Sequence, residues 1–353
     1  MNFLINIFKK TVTKVILITF VVLFMLSLFF FWGWYEKQYN KLWGYYFVYK
    51  GDKAYKSAQY QKAIDYYNAG LSHYPEHSKA QCNLGNIYVA YEDYYSAATA
   101  YENALQYNPD YIVCRMDLGI ILSERMANYD EAIQQYGRVI QSKPFLLYLP
   151  FIYNNVKTVK VNKGIAYYNM GLAYRGKSLY MGEGTVASGQ YLAKAREAYE
   201  EAKKILKNDY DTYYNLALTE QLLGRYKDAG TNYCKAIEIN PLNYDAHYNL
   251  AILLRSMKLY KESLSEFEKA GLIVDISGDS AKKDYVYGVL SEVKQRVINQ
   301  GDLKYLQERT DEAALDPDEI EYKNGVVIVG EDSDKILIEH LKSCPYKTYF
   351  NEM

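Results

Sequence analysis

The stretch of this chain that most resembles reactive chemistry runs from Gly171 to Ser178. Gly171-Leu-Ala-Tyr-Arg-Gly176-Lys177-Ser178 fits the phosphate-loop spacing G-x-x-x-x-G-K-[ST]. Such a loop presents successive amide groups to a phosphate ahead of a helix, and it needs a buried strand in front of it. No strand pattern precedes Gly171, and no later apolar strand ends in an Asp that could hold magnesium. Gly171 and Tyr174 instead fall at helical spacing, as packing residues of an amphipathic segment. The four histidines offer little more. His73 and His77 flank Pro75 at a helix end. His340 and Cys344 lie one turn apart and supply two ligands where zinc needs four, and His247 sits on a helix. No nucleophile stands beside a base, no carboxylates pair in a pocket-forming context, and no glycine fingerprint follows a strand. The reading is a non-enzyme with no catalytic residue, no cofactor and no metal site.

Composition narrows the classes further. The net charge of -1, with no basic stripe, gives no reason to expect nucleic acid. Cys82, Cys114, Cys234 and Cys344 show no disulfide-framework spacing, and three of them lie on helical segments. They read as buried reduced thiols acting as small hydrophobes. The apolar fraction of 50% is ample for one elongated array of helices.

The elements that would position any binding surface repeat at about 34 residues. In the clearest copy, Leu84-Gly85 is followed by Tyr88, Ala97, Tyr101, Ala104 and Pro109. Leu216-Ala217, Ala229, Tyr233, Ala236 and Pro241 return in the same frame, as do Leu250-Ala251, Ser263, Phe267 and Ala270. Gly51, Ala63, Tyr67 and Pro75 fit with a degenerate first helix. Leu118-Gly119, Leu122, Ala132, Tyr136 and Pro144 fit with one extra residue in the turn. Each copy reads as two amphipathic helices whose small residues allow close backbone approach, and proline ends the second. A single pair cannot bury its apolar face, so neighbours must stack.

This pattern resembles the tetratricopeptide repeat over roughly two-thirds of the chain. The resemblance implies an all-α fold, a right-handed superhelix of helix-turn-helix pairs, here after one transmembrane helix and before a small mixed C-terminal appendage. It also implies a concave groove, lined by the first helix of each repeat, where other proteins bind. Carried onto this sequence, the groove positions include Met116 and Ile120, then Tyr168, Leu172 and Arg175, then Tyr214 and Leu218, then Tyr248, Ile252 and Arg255. An aromatic-aliphatic ladder of this kind suits an amphipathic helix or an extended apolar segment of a partner. The chaperone-tail clamp of some members is absent, since Val48, Asp52, Val113 and Asp117 replace its cations and amide.

The expected division is a basic flank at 1–14, an anchor at 15–34, a juxtamembrane segment at 35–43 and repeats one to three at 44–144. An apolar bridge follows at 145–163. Repeats four to six occupy 164–275, with a glycine-rich insertion at 176–191. A capping helix at 276–300 and an appendage at 301–353 complete the chain, the appendage with a hairpin around Asn324-Gly325 and a helix from Asp334. Val15 to Trp34 carries no charge over about twenty residues, enough to span roughly 30 Å. Trp32, Trp34 and Tyr35 close it as interfacial aromatics, whereas a cleaved signal would end in small residues. Lys9, Lys10 and Lys14 before the span are nearly balanced by Lys37, Lys41, Lys50 and Lys53 after it; a short basic N-terminus ahead of a first span is expected to stay in the cytoplasm, which carries the repeats to the periplasm if the source is a bacterium. The function expected is a membrane-anchored scaffold or adaptor that assembles a membrane- or envelope-associated complex, such as a secretion or flagellar-motor apparatus. The alternative is a tethered receptor or co-chaperone for transient clients. The lipid bilayer is the expected partner of residues 15–34, and homo-oligomerisation stays open.

Overall fold

The computed structural model describes residues 2–143, 152–299, 321–323, 326–328, 331–346 and 350. Its helices follow the repeat frame: α1 (Asn2–Lys56), α2 (Tyr60–His73), α3 (Ser78–Ala90), α4 (Tyr94–Tyr107), α5 (Ile112–Glu124), α6 (Tyr129–Gln141), α7 (Ile152–Tyr180) and α8 (Val186–Ile205). They continue with α9 (Tyr210–Leu222), α10 (Tyr226–Ile239), α11 (Tyr244–Ser256), α12 (Tyr260–Ser277) and α13 (Ser280–Asn299). A hairpin of β1 (Glu321–Lys323) and β2 (Val326–Ile328) precedes α14 (Glu331–Lys342). The two strands are antiparallel, with Tyr322 opposite Val327.

Two compact units divide the chain, residues 1–121 and 122–353. The core of each is a row of rings. Tyr67 and Tyr101 in the first unit, and Tyr136, Tyr199, Tyr233 and Phe267 in the second, are almost fully buried. They lie against small residues of the paired helix. A Cβ added at Gly51 would come within 2.6 Å of the Tyr67 ring, and one at Gly171 within 2.6 Å of the Tyr199 ring. Glycine is therefore required for close approach at these crossings. Side-chain caps begin several helices: Asp93 accepts from the Ser96 amide, Thr185 from Ser188 and Asp209 from Thr212. In the turns between paired helices one residue takes a positive φ, at Ala58, Glu92, Ala127, Gly224 and Lys258. The α5–α6 turn is the longer by one residue, as expected.

Three expectations change. The insertion expected at 176–191 is largely helix. Gly176 and Gly189 lie inside α7 and α8, and only Met181 to Thr185 form the turn, where Gly182 and Gly184 adopt φ of 87° and 77°. The extra residues lengthen both helices, which satisfies their backbone groups without a long loop. Residues 152–163 of the expected bridge belong to α7, while 144–151 lie outside the described residues. In the capping helix the i, i+4 spacing of Tyr285, Val289, Val293 and Val297 predicts the buried stripe; in α13 it is Val286, Leu290, Val293 and Val297, one residue off at its start, and Tyr285 is 62% exposed.

The expected anchor is helical but broken. Non-helical torsions at Phe31 (φ -112°, ψ 15°) interrupt α1 two residues before Gly33. Among the described residues no single helix is long and apolar enough to cross a membrane. Val12–Ser27 and Phe31–Lys56 meet that test only together, as a pair bent by 75°. Beyond the bend α1 runs without interruption into the first repeat. Val48 is buried there, and Gly44 and Gly51 meet Tyr74 and Tyr67.

The thiol expectation holds for Cys82 and Cys114, which are free and buried. It is corrected for Cys234 and Cys344, which form a disulfide across 110 residues of sequence with Cα atoms 5.6 Å apart. No local spacing announces a pair so distant in the chain.

Candidate partner-binding groove

Helices α7, α9 and α11, the first helices of repeats four to six, touch in succession within the second unit. Tyr168, Tyr214 and Tyr248 stand on them at equivalent places and are all half-buried. Their hydroxyls are used to join one repeat to the next. The Asn215 amide donates to the Tyr168 hydroxyl at 3.1 Å, and the Asn249 amide to that of Tyr214 at 2.8 Å. Ring stacking reinforces the rungs: Tyr210 on Tyr214 at 5.6 Å and Tyr244 on Tyr248 at 5.3 Å, with Tyr285 of the capping helix 5.7 Å from Tyr248. Burial, with Asp211 nearby, pushes the Tyr168 hydroxyl up to about 12; burial and Asp245 do the same at Tyr214. The tyrosines are thus repeat-linking residues as much as surface ones.

The aliphatic rungs are more available. Leu172, Leu218 and Ile252 each pack on a core cluster and remain partly exposed. The Arg175 charge acts on Tyr168, Tyr199, Tyr214 and Tyr233, which sets a cation over the middle of the ladder. Arg255 pairs with Glu292 at 3.6 Å. With Ile252, Tyr260 and Arg296 these two line an open depression of about 420 Å³ at the α13 end. In the first unit Ile120 is partly buried, whereas Met116, expected in the groove, is only 8% exposed and belongs to the core.

Sequence reasoning missed one departure in this region. The other buried tyrosines of the second helices find a polar partner: Tyr67 donates to Asp52 at 2.9 Å, Tyr101 to Asn86 at 2.6 Å and Tyr233 to Gln221 at 2.9 Å, and Tyr136 meets Ser123 at 3.3 Å. The buried Tyr199 hydroxyl has none among the described residues. In repeats one and two the partner directly follows the packing glycine, as Asp52 and Asn86; in repeats three and five that place holds Ile120 and Leu218, and the partner stands three residues further on, as Ser123 and Gln221. Repeat four has Leu172 and Arg175 at these two places, and an unpaired buried hydroxyl costs about 1–3 kcal/mol. Comparing both places across the repeats would have revealed it.

The phosphate-loop residues do no such chemistry here. All of Gly171 to Ser178 is helix within α7. Gly176 faces the Tyr129 ring, Lys177 pairs with Asp130 and lies 4.7 Å from the Tyr191 centroid, and Ser178 meets Ser188 at 2.8 Å in the interior. Each side chain has a packing duty.

The described C-terminal residues lie on the second helices rather than on the ladder. Strand β2 contacts α12, and α14 contacts α10. Cys344 bonds to Cys234, the Phe350 ring seats against Gly230, and the Lys269 ammonium donates to the Ser343 carbonyl at 2.7 Å. Lys269 also pairs with the fully buried Glu266 at 2.7 Å, whose other oxygen is 2.7 Å from His247. Burial alone would raise the Glu266 carboxyl, but the His247 hydrogen bond and the Lys269 charge hold it below the usual range.

Tetratricopeptide-repeat models match residues 50–112, 210–241 and 233–270, so the chain carries these repeats. Among solved structures it is similar to PilF of Pseudomonas aeruginosa, at 16% identity and a TM-score of 0.51, covering 70% of this chain and 98% of that one. PilW, described as a type IV pilus biogenesis factor, gives 14% identity, a TM-score of 0.51 and the same coverages. The ribosomal-protein assembly chaperone Acl4 gives 13%, 0.52, 74% and 99%. At these identities the likeness is one of fold. No functionally characterised protein matches the chain by overall sequence. Arrays of such repeats are protein-binding platforms.

Proposed function

We propose that this chain is a membrane-tethered scaffold or adaptor, and that the first-helix ladder of its second unit holds an amphipathic helix or extended apolar segment of a partner protein. The observation that carries the binding site is the run of Leu172, Leu218 and Ile252, aliphatic side chains left partly exposed at equivalent places on three successive first helices. Apolar surface left exposed at one place in repeat after repeat is accounted for by a ligand that covers it.

The tether rests on the first arm of α1. From Val15 to Leu26 its large apolar side chains are exposed on every side of the helix. Such a helix is stable in hydrocarbon and not in water. Lysines flank the span on both sides, so orientation rests on the Cys234–Cys344 bond, which favours an oxidising compartment for the repeats, the periplasm in a bacterium. An envelope-associated apparatus of pilus, secretion or flagellar-motor type fits that placement; PilW's description as a pilus biogenesis factor agrees with it.

The test is detergent co-purification of the full-length chain against a Leu172→Asn/Leu218→Gln variant, read by mass spectrometry. Leu172→Asn supplies the partner that Tyr199 lacks, so the fold is kept while the apolar rungs are removed. Stoichiometric partners lost only in the variant support the reading. Equal recovery from both samples sinks the groove site.

A further inference from the structure

We propose that the second arm of α1 lies along the lipid surface, with one aromatic stripe seated among the headgroups. This deepens the tether reading and rests on it. The stripe is Trp32, Tyr35, Tyr39, Leu42, Tyr46 and Tyr49, spaced alternately by three and four residues and therefore on one face of the helix. All six are exposed, with Leu42 at 68% and Tyr49 at 69%. The packed face is the opposite one, where Gly44, Val48 and Gly51 meet α2 and the chain that follows it.

Three observations select a bilayer as the occupant. The first is the bend. With the apolar arm Val12–Ser27 inserted along the membrane normal, a turn of 75° at Phe31 lays Phe31–Lys56 within about 15° of the membrane plane, or about 35° with an ordinary helix tilt. Tyr49 is about 27 Å along the helix from Phe31, yet at that bend it stands only about 7 Å above the starting level. The second is chemistry. Five of the six side chains are Tyr or Trp, flat apolar bodies with a polar tip, which suit the layer where hydrocarbon meets water. The third is charge. From Phe31 to Lys56 the arm holds Lys37, Lys41, Lys50, Lys53 and Lys56 against Glu36 and Asp52. Lys50 lies 4.6 Å over the Tyr46 ring, at the edge of the stripe. Positive charge there attracts anionic headgroups while the lysine stems cover the rings.

All three tryptophans of the chain, Trp32, Trp34 and Trp43, lie on this arm, so a single-tryptophan experiment is practical. The full chain with all three changed to Phe receives either Tyr49→Trp or Phe24→Trp. Each protein is reconstituted into phosphatidylcholine–phosphatidylglycerol vesicles containing lipids brominated near the headgroup or deep in the acyl chains. The expected result is blue-shifted Tyr49→Trp emission quenched by the shallow bromines, and Phe24→Trp emission quenched by the deep ones. If Phe24→Trp is quenched while Tyr49→Trp stays red and unquenched, the tether stands and the surface-lying arm is overturned. Blue-shifted but unquenched Tyr49→Trp emission also overturns it, and assigns the stripe to a second copy or another protein. If neither position is quenched, the tether reading itself fails and this inference with it.

Discussion

The two units finish their rows of rings by different means. In the first unit, the opening repeat borrows its first helix from the end of α1, and its polar contacts are short and partly exposed. Asp52 accepts from Tyr67 at 2.9 Å and from Asn83 at 3.0 Å, and pairs with Lys79 at 2.5 Å. Its two cysteines remain thiols. In the second unit, α13 covers the last apolar face, and the chain then returns to bolt itself across two repeats. A disulfide, a seated ring and a buried Lys269–Glu266–His247 network join Ser343–Phe350 to α10 and α12. The difference teaches where each unit is free to yield. The first relies on many replaceable contacts, the second on a few whose loss is severe.

Breaking the bolt is the strongest way to test that contrast. Cys344→Ser releases a loop of 110 residues and should lower the stability of the second unit by about 4 kcal/mol. Hydrogen exchange should show the loss in α10 and α12 and leave residues 1–121 unchanged. Wild-type protection in the variant would mean that the covalent link contributes nothing. Removing the cation comes next. Lys269→Met leaves Glu266 with His247 in the interior, at a cost of about 3 kcal/mol in denaturant titration. A neutral result would show the network to be dispensable to the bolt.

In the first unit the sharpest single change is at a ring crossing. A Cβ at Gly85 would press into the Tyr101 ring, so Gly85→Ala should destabilise by about 2 kcal/mol. The matched control is Gly137→Ala in α6, where nothing lies within 4 Å and a helix former should stabilise by about 0.5–1 kcal/mol. If both changes behave alike, crossing packing is not what sets the first unit's stability.

The remaining effect is electrostatic and shows only as a pH dependence. Burial raises the Asp117 carboxyl from 3.8 to about 6. The folded form therefore holds its proton more tightly than the unfolded chain does. Its contribution is fully present below pH 4 and is lost as pH rises through 6, at most about 3 kcal/mol. Asp117→Asn should remove that slope, giving a higher melting temperature than wild type at pH 7 and an equal one at pH 4. Glu220 in the second unit is also raised to about 6 by burial, but Asn232 and Arg196 work against the shift at 2.8 and 3.3 Å. Glu220→Gln should therefore gain less at pH 7, since it also gives up the Arg196 pair.

What was legible in the sequence follows one physical line. The repeat frame, the longer α5–α6 turn, the hairpin and the helices around them depend on residues a few positions apart, and helical period exposes them. The equivalent places of Tyr168, Tyr214 and Tyr248 on successive first helices were legible, but not the use that Asn215 and Asn249 make of the Tyr168 and Tyr214 hydroxyls. Gly176 and Gly189 misled, because glycine weakens a helix without forbidding it, and Tyr129 rewards its presence at Gly176. The Cys234–Cys344 bond, the Lys269–Ser343 contact and the bend at Phe31 depend on distant partners or on one residue's torsions, and no local pattern encodes them.

The uninterrupted run of α1 from Phe31 to Lys56 has a mechanical consequence. A flexible leash of the same length would let the first repeat swivel and sample every bearing. Here the arm that leaves the bend is itself the repeat's first helix, keyed to its neighbours at Gly44, Val48 and Gly51. Any rotation of the arm about its axis turns the repeat by the same angle, as a key turns a lock. On the tether reading, the docking direction of the first unit is thus decided before an incoming molecule arrives, and a collision from the wrong side is unproductive whatever its affinity.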